Sequence, residues 1–146
     1  MTEQEIFSKK AETSYTVCIA EHCPKKERCL RWKVGQHMTS QLMDFHCVNL
    51  LYKDVATENC PRFRSAEKVQ FAKGMTGIFT DDMPRRVEKY VRGELMDRYC
   101  RSYFFEFRNG SRLIPPAMQE EIRGLFQEAG WNGEVKFDGY VEDYNW

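Results

Sequence analysis

Three thiols fall within twelve residues, Cys18, Cys23 and Cys29, with four residues between the first pair and five between the second. A fourth, Cys60, follows after a gap of thirty residues, and like Cys23 it stands directly before a proline. Thiols this dense in a chain of otherwise ordinary composition act more often as ligands than as packing. Tetrahedral zinc takes four nitrogen or sulfur donors at roughly 2.0–2.3 Å. The spacing predicts Cys18, Cys23, Cys29 and Cys60 as that set, with His22 as the substitute should Cys18 not serve. The pattern departs from the usual knuckle with two residues between thiols, so two other readings stand beside zinc. An iron–sulfur cluster also uses four thiolates and often has a distal Cys-Pro. Alternatively, there is no metal and the cysteines pack as small hydrophobes. Cys47, in an apolar run, and Cys100, at an expected helix end, read as packing.

The compartment follows from the same residues. The chain has six cysteines, and the start, Met1-Thr2-Glu3-Gln4-Glu5-Ile6-Phe7-Ser8-Lys9-Lys10, has no apolar core or small-residue cleavage site of a signal peptide. Reduced or metal-bound thiols in the cytoplasm are therefore expected rather than disulfides. No run of eighteen apolar residues exists, so no membrane-spanning helix is expected. At 146 residues, 42% of them hydrophobic, the chain has material for one domain with a core of its own.

Charge is balanced overall but not locally. The formal net charge is zero, which argues against bulk attraction to nucleic acid. Between residues 85 and 112, however, eight bases face four acids, and between 118 and 146 seven acids face two bases. Either the acidic tail neutralises the basic segment, or the basic segment is a contact surface.

Taken in order, Thr2 and Glu5 form a capping box for a short first helix. Residues 15–19 read as a strand from their β-branched and aromatic content. A helix is expected from about Lys25 or Lys26 to Gly35, while residues 36–64 give no clear period. Ser65 can cap a helix over 66–79 with Val69, Ala72, Met75 and Phe79 on one stripe, weakened by Gly74 and Gly77 at about 1 kcal/mol each. Asp81-Asp82-Met83-Pro84 restarts a helix that runs to about Tyr99, with Val87, Tyr90, Val91 and Leu95 facing inward. Tyr103-Phe104-Phe105-Glu106-Phe107 reads as a strand, and Asn109-Gly110 as a hairpin turn returning through Arg112-Leu113-Ile114. After Pro115-Pro116 a last helix covers about 117–129, with Ile122, Leu125, Phe126 and Ala129 inward and Gly130 as its stop. The aromatic, acidic tail is expected to dock on the body.

Tyr103-Phe104-Phe105-Glu106-Phe107-Arg108-Asn109-Gly110, the Tyr140-Val141-Glu142-Asp143-Tyr144 tail and the Cys23-Pro24…Cys29-Leu30-Arg31 segment resemble an uncharacterised family of small proteins from gut Bacteroidales. The resemblance spans most of the chain and implies an anaerobic, bacterial, cytoplasmic setting. It carries no activity, substrate or partner.

These readings converge on an α+β domain: a cysteine-rich part (1–64) packed on about three helices and one β-hairpin (65–130), with the tail (131–146) docked across it. Helix, helix and hairpin in that order match a winged helix-turn-helix. In that alternative Arg85, Arg86, Lys89 and Arg92 on the second helix, with Arg108 and Arg112 beside the turn, contact phosphates; the plainer reading is a solvated, salt-bridged surface. The case for catalysis rests on a thiol of lowered pKa at Cys23 or Cys29 beside Lys25, Lys26 and Arg28, with no oxyanion hole or orienting group by pattern, so the balance leans against an enzyme. His22, His37 and His46 are scattered, and neither a nucleophile–base pattern nor a phosphate-cradling glycine loop is present. The leading expectation is a non-enzymatic, zinc-stabilised binding protein. A DNA-binding regulator and an iron–sulfur redox protein are its alternatives, and the partner is open between nucleic acid and protein.

Overall fold

The capping box forms as the residues dictate. The Thr2 hydroxyl accepts from the Glu5 amide at 3.2 Å, and the Glu5 carboxylate accepts from the Thr2 amide at 2.7 Å. This starts α1, Glu3–Ala11, in a computed structural model that describes all residues 1–146. The remaining elements are α2 (Leu30–Gly35), β1 (Lys68–Ala72), α3 (Arg85–Asn109), α4 (Pro116–Glu128) and β2 (Tyr140–Tyr144), with a turn of 3-10 helix at Lys26–Arg28. The class is α+β. No helix is long and apolar enough to cross a membrane.

The chain divides into two compact units, Met1–Glu67 with Tyr144–Trp146, and Lys68–Asp143. In the first, α1 buries Phe7 and Ala11 against Leu30 and Val34 of α2, and Tyr144 completes the cluster. Phe7 lies 5.2 Å from the Tyr144 ring, whose hydroxyl donates to Glu3 at 2.6 Å. Two expectations fail here. The strand over 15–19 is reduced to one parallel bridge, Val17 with Cys47. The helix expected from Lys25 or Lys26 is broken at Cys29, which is extended (φ −102°, ψ 119°) and bridges Ser65. The Leu30 amide donates to Arg64 O at 2.7 Å, and the Ala66 amide to Arg28 O at 3.0 Å. Pairing with a distant segment wins over local helix propensity, and it draws the Cys29 region to the segment just after Cys60.

In the second unit β1 and β2 run antiparallel, as the hydrogen bonds Lys73 N to Gly139 O and Asp138 N to Gly74 O require. Val87, Val91, Leu95, Phe104, Phe107, Ile114, Ile122, Leu125, Phe126 and Phe137 fill its core. α4 carries the expected stripe, and Gly130 follows it at φ +83°. The Tyr99 hydroxyl and Arg98 both donate to Glu121, tying α3 to α4. Burial and that hydrogen bond push the Tyr99 phenol up to about 12.

Three expectations are corrected in this unit. Residues 66–79 hold no helix: β1 occupies their first part, and Gly74 sits at φ +85°. The Asp138 carboxylate accepts from the amides of Thr76 and Gly77 and from the Thr76 hydroxyl, fixing a loop where the helix was expected. Nor do residues 103–114 form a hairpin. α3 continues to Asn109 past a break at Cys100, and Gly110 is its left-handed cap at φ +80°. Without that hairpin the winged-helix order is absent. Finally, Tyr90 is exposed rather than inward, and its hydroxyl donates to Glu128 at 3.0 Å.

Candidate metal centre

Each of the four cysteines owes its place to an irregular backbone. The Cys18 amide donates to Arg31 O at 3.0 Å. Cys23 closes a turn on Ala20 O at 3.2 Å, and Pro24 then directs the chain into the 3-10 turn. Cys29 occupies the extended residue ahead of α2. Cys60 closes a turn on Thr57 O at 3.1 Å, and its own carbonyl accepts from the Phe63 amide at 3.2 Å.

These four positions, spread over forty-three residues of sequence (18 to 60), line a single cavity of about 20 Å³. That is room for one water-sized body. Its apolar wall is Ala20, Val48 and Ala56. Cys29 is buried and the other three are half-buried. The sequence-predicted set is therefore brought to one place, while its substitute, His22, is exposed and does not line the cavity. Cys47 lies outside the lining, bridged to Val17, with its thiol donating to Val48 O at 3.4 Å. Cys100 belongs to the second unit and is exposed. No group of three or more His, Cys, Asp or Glu side chains is drawn to ligating spacing about one point. The thiols thus share a cavity without closing on a centre.

Burial pushes the Cys18 thiol up, the Ala20 amide opposes this, and the neighbouring Cys29, Cys47 and Cys23 sulfurs push it up further.

Of the surrounding charge, Lys25 and Lys26 follow from their place beside Cys23 in the sequence, whereas Arg31 and Arg62 do not. Lys25, Lys26, Arg31 and Arg62 line the same cavity. Arg31 is only 6% exposed. Its guanidinium donates to two backbone carbonyls, Arg62 O at 3.0 Å and Thr16 O at 2.6 Å, and to no carboxylate. Burial pulls its pKa down from the usual value, Tyr15 raises it, and the nearby Arg62 and Arg64 lower it further. The ion pairs run from Arg92–Glu88 to Lys136–Glu134, and all belong to the second unit. Arg64 Nε and the Tyr15 hydroxyl are buried without a partner. Lys25 lies 3.7 Å from the Phe63 ring centre, and Lys26 5.3 Å from that of Trp32. One signal in the sequence could have exposed this bank. Cys60-Pro61-Arg62-Phe63-Arg64 and Cys29-Leu30-Arg31 each set an arginine two residues beyond a cysteine.

The residues of the nucleic-acid alternative are not gathered in this way. Arg85, Arg86 and Lys89 are exposed on the first turns of α3. Arg92 is paired with Glu88 at 2.7 Å, and Arg112 with Glu106 at 2.6 Å while stacked on Tyr103. Arg108, half-buried, sits at the helix end and not beside a hairpin tip.

Compared with known proteins, the whole chain, residues 1–146, matches the model of DUF6078, described as a family of unknown function. No curated protein and no solved structure matches it.

Proposed function

The chain belongs to the DUF6078 family, so its function has to be read from its own residues, and we propose that the first unit is a non-enzymatic binding module stabilised by one zinc ion on Cys18, Cys23, Cys29 and Cys60. The observation that carries this reading is the shared lining of one small cavity by all four thiols. Thiolate sulfur is a soft donor that suits zinc. A cavity of about 20 Å³ has room for a single ion and not for a four-iron cluster, which favours zinc over the iron–sulfur alternative.

Two further features support it. Zinc with four thiolates carries a net charge of −2, and Arg31, Arg62, Lys25 and Lys26 beside the cavity supply the opposite sign. Moreover, residues 36–67 contain no helix or strand of their own. A segment so irregular gains most from a cross-link, because binding free energy at such a site is folding free energy. A reducing bacterial cytoplasm, which keeps the thiols available, is part of the same proposal.

The test is elemental analysis of protein purified under reducing conditions in zinc-supplemented medium, followed by chelation. About one zinc per chain is expected. Cys60→Ser should lose it and unfold the first unit, whereas Cys100→Ser should retain it. Metal-free protein whose circular dichroism and melting ignore chelator would overturn the proposal.

A further inference from the structure

The first unit carries a second concave site, which shares Arg31 and Arg62 with the cysteine cavity but none of its thiols. α1 brings Lys10 in its last turn, and the chain then turns through Thr13-Ser14-Tyr15-Thr16. Arg31 comes from α2, Arg62 from the turn after Cys60, and Trp146 closes one side. Together they line an open groove of about 490 Å³ with no Asp or Glu among them. Small-molecule sites ordinarily occupy about 300–1,000 Å³.

The groove holds three cations and none has a carboxylate partner. Lys10 Nζ lies 4.7 Å from the Trp146 ring centre and 5.3 Å from that of Tyr15. Arg31 lies 5.2 Å from the Tyr15 ring and binds only backbone carbonyls. Ring faces and carbonyls attract a cation but do not cancel its charge. A guanidinium that is nine-tenths buried is ordinarily paired with an anion, because an uncompensated buried charge is costly.

We propose that this groove binds a small molecule bearing a phosphomonoester. A phosphate dianion matches the planar donor fork of arginine and accepts from lysine and from hydroxyls; Ser14 and Thr16 are the hydroxyl residues of the lining left for this, since the Thr13 hydroxyl donates to Lys10 O at 2.6 Å. The rings of Tyr15 and Trp146 offer an apolar wall to the organic part. Three cations suffice for one dianion and are too few to track a nucleic-acid backbone. No cysteine lines the groove, and Lys10 lines the groove alone, so loss of binding in Lys10→Ala tests the groove separately from the metal reading.

Calorimetric titration of the full chain with AMP and with inorganic phosphate, in chloride buffer of matched ionic strength, tests it. Saturable binding is expected, weakened at least about tenfold by Arg62→Ala and by Lys10→Ala, as for loss of one charge-assisted contact. Arg85→Ala, in the other unit, should leave it unchanged. Tighter binding of AMP than of phosphate places the organic part in the groove; equal affinity assigns recognition to the phosphate alone. Circular dichroism establishes that each variant is folded, and should Arg62→Ala misfold, Lys10→Ala decides. No saturable binding at millimolar ligand, or binding that survives both groove substitutions, overturns the proposal. So does binding confined to single-stranded RNA and lost with Arg85.

Discussion

Replacing Cys100 by glycine should stabilise the second unit. Cys100 interrupts α3 at φ 64°, ψ 162°, a backbone region essentially reserved for glycine, where another residue costs about 1–3 kcal/mol. The thiol is exposed, so removing it sacrifices little burial. Glycine brings its own penalty of about 0.5–1 kcal/mol in extra freedom of the unfolded chain. The difference is a net gain of about 1 kcal/mol at the middle of both ranges, and at most about 2.5 kcal/mol. Cys100→Ala is the control, because it removes the sulfur but keeps the Cβ that causes the strain, and it should stay within about 0.5 kcal/mol of the parent. Urea unfolding in reducing buffer, followed by circular dichroism at the helix band, reads out chiefly the second unit, which holds the two longest helices. With slopes of about 1–3 kcal/mol/M, the glycine variant's midpoint should rise by a few tenths of molar to about 1 M above that of the alanine variant. Equal midpoints would refute the reasoning, since they would mean that the chain at residue 100 is not held in the strained region.

Gly74→Ala should destabilise the same unit by at least about 1–2 kcal/mol, the cost of a left-handed residue with a Cβ; at φ +85° that Cβ would stand 2.6 Å from Asp138 Oδ2. Urea melts of Gly74→Ala, Asp138→Ala and the double variant should show costs that do not add. Asp138 itself should give stability a pH dependence. Its partial burial raises the carboxyl pKa, but hydrogen bonds from the Thr76 amide and hydroxyl and the Gly77 amide prevail and hold it below the usual aspartate value. A depressed folded pKa contributes stability that is full above the unfolded value of about 3.9 and is lost as pH falls through the folded one. The stability gap between parent and Asp138→Asn should therefore be constant from pH 7 to about 5 and shrink below about pH 4, and a gap that persists at pH 2 would contradict the assignment.

Local chemistry was legible and long-range pairing was not. The Thr2–Glu5 capping box, the Ile122, Leu125 and Phe126 stripe and the Gly130 stop depend on neighbours within a few residues, and all three stand as read. The errors lie where a distant partner decides. Residues 68–72 became a strand because Ala72 exchanges two backbone hydrogen bonds with Ile114 and the chain beyond meets Gly139 and Asp138. The aromatic run at 103–107 has strand propensity, but propensity on an aromatic residue mostly reports a half-buried, well-packed surface. Phe104 and Phe107, three residues apart, are the buried ones, which is one face of a helix. Asn109-Gly110 was read as a hairpin turn, yet glycine's freedom at positive φ serves equally as a helix cap.

The site divides in the same way. That the four thiols line one cavity agrees with a grouping expected from their density in the sequence. The arginines around them could not be read in this way, because what marks them is the lack of any carboxylate nearby, and only the fold decides that. By charge, the proposed metal site and the proposed groove would not be rival uses of one surface. Lys10, Lys25, Lys26, Arg31 and Arg62 line one or both cavities, giving five positive charges on a patch where no ion pair forms. The proposed zinc tetrathiolate would offset two of them, and three would remain. Its negative charge lies with the cysteines, whereas Lys10 lines only the groove. The excess therefore falls on the groove side, where a phosphate dianion would bring the patch close to neutrality. Arg31 and Arg62 face both cavities and are the residues through which the two sites would sense each other.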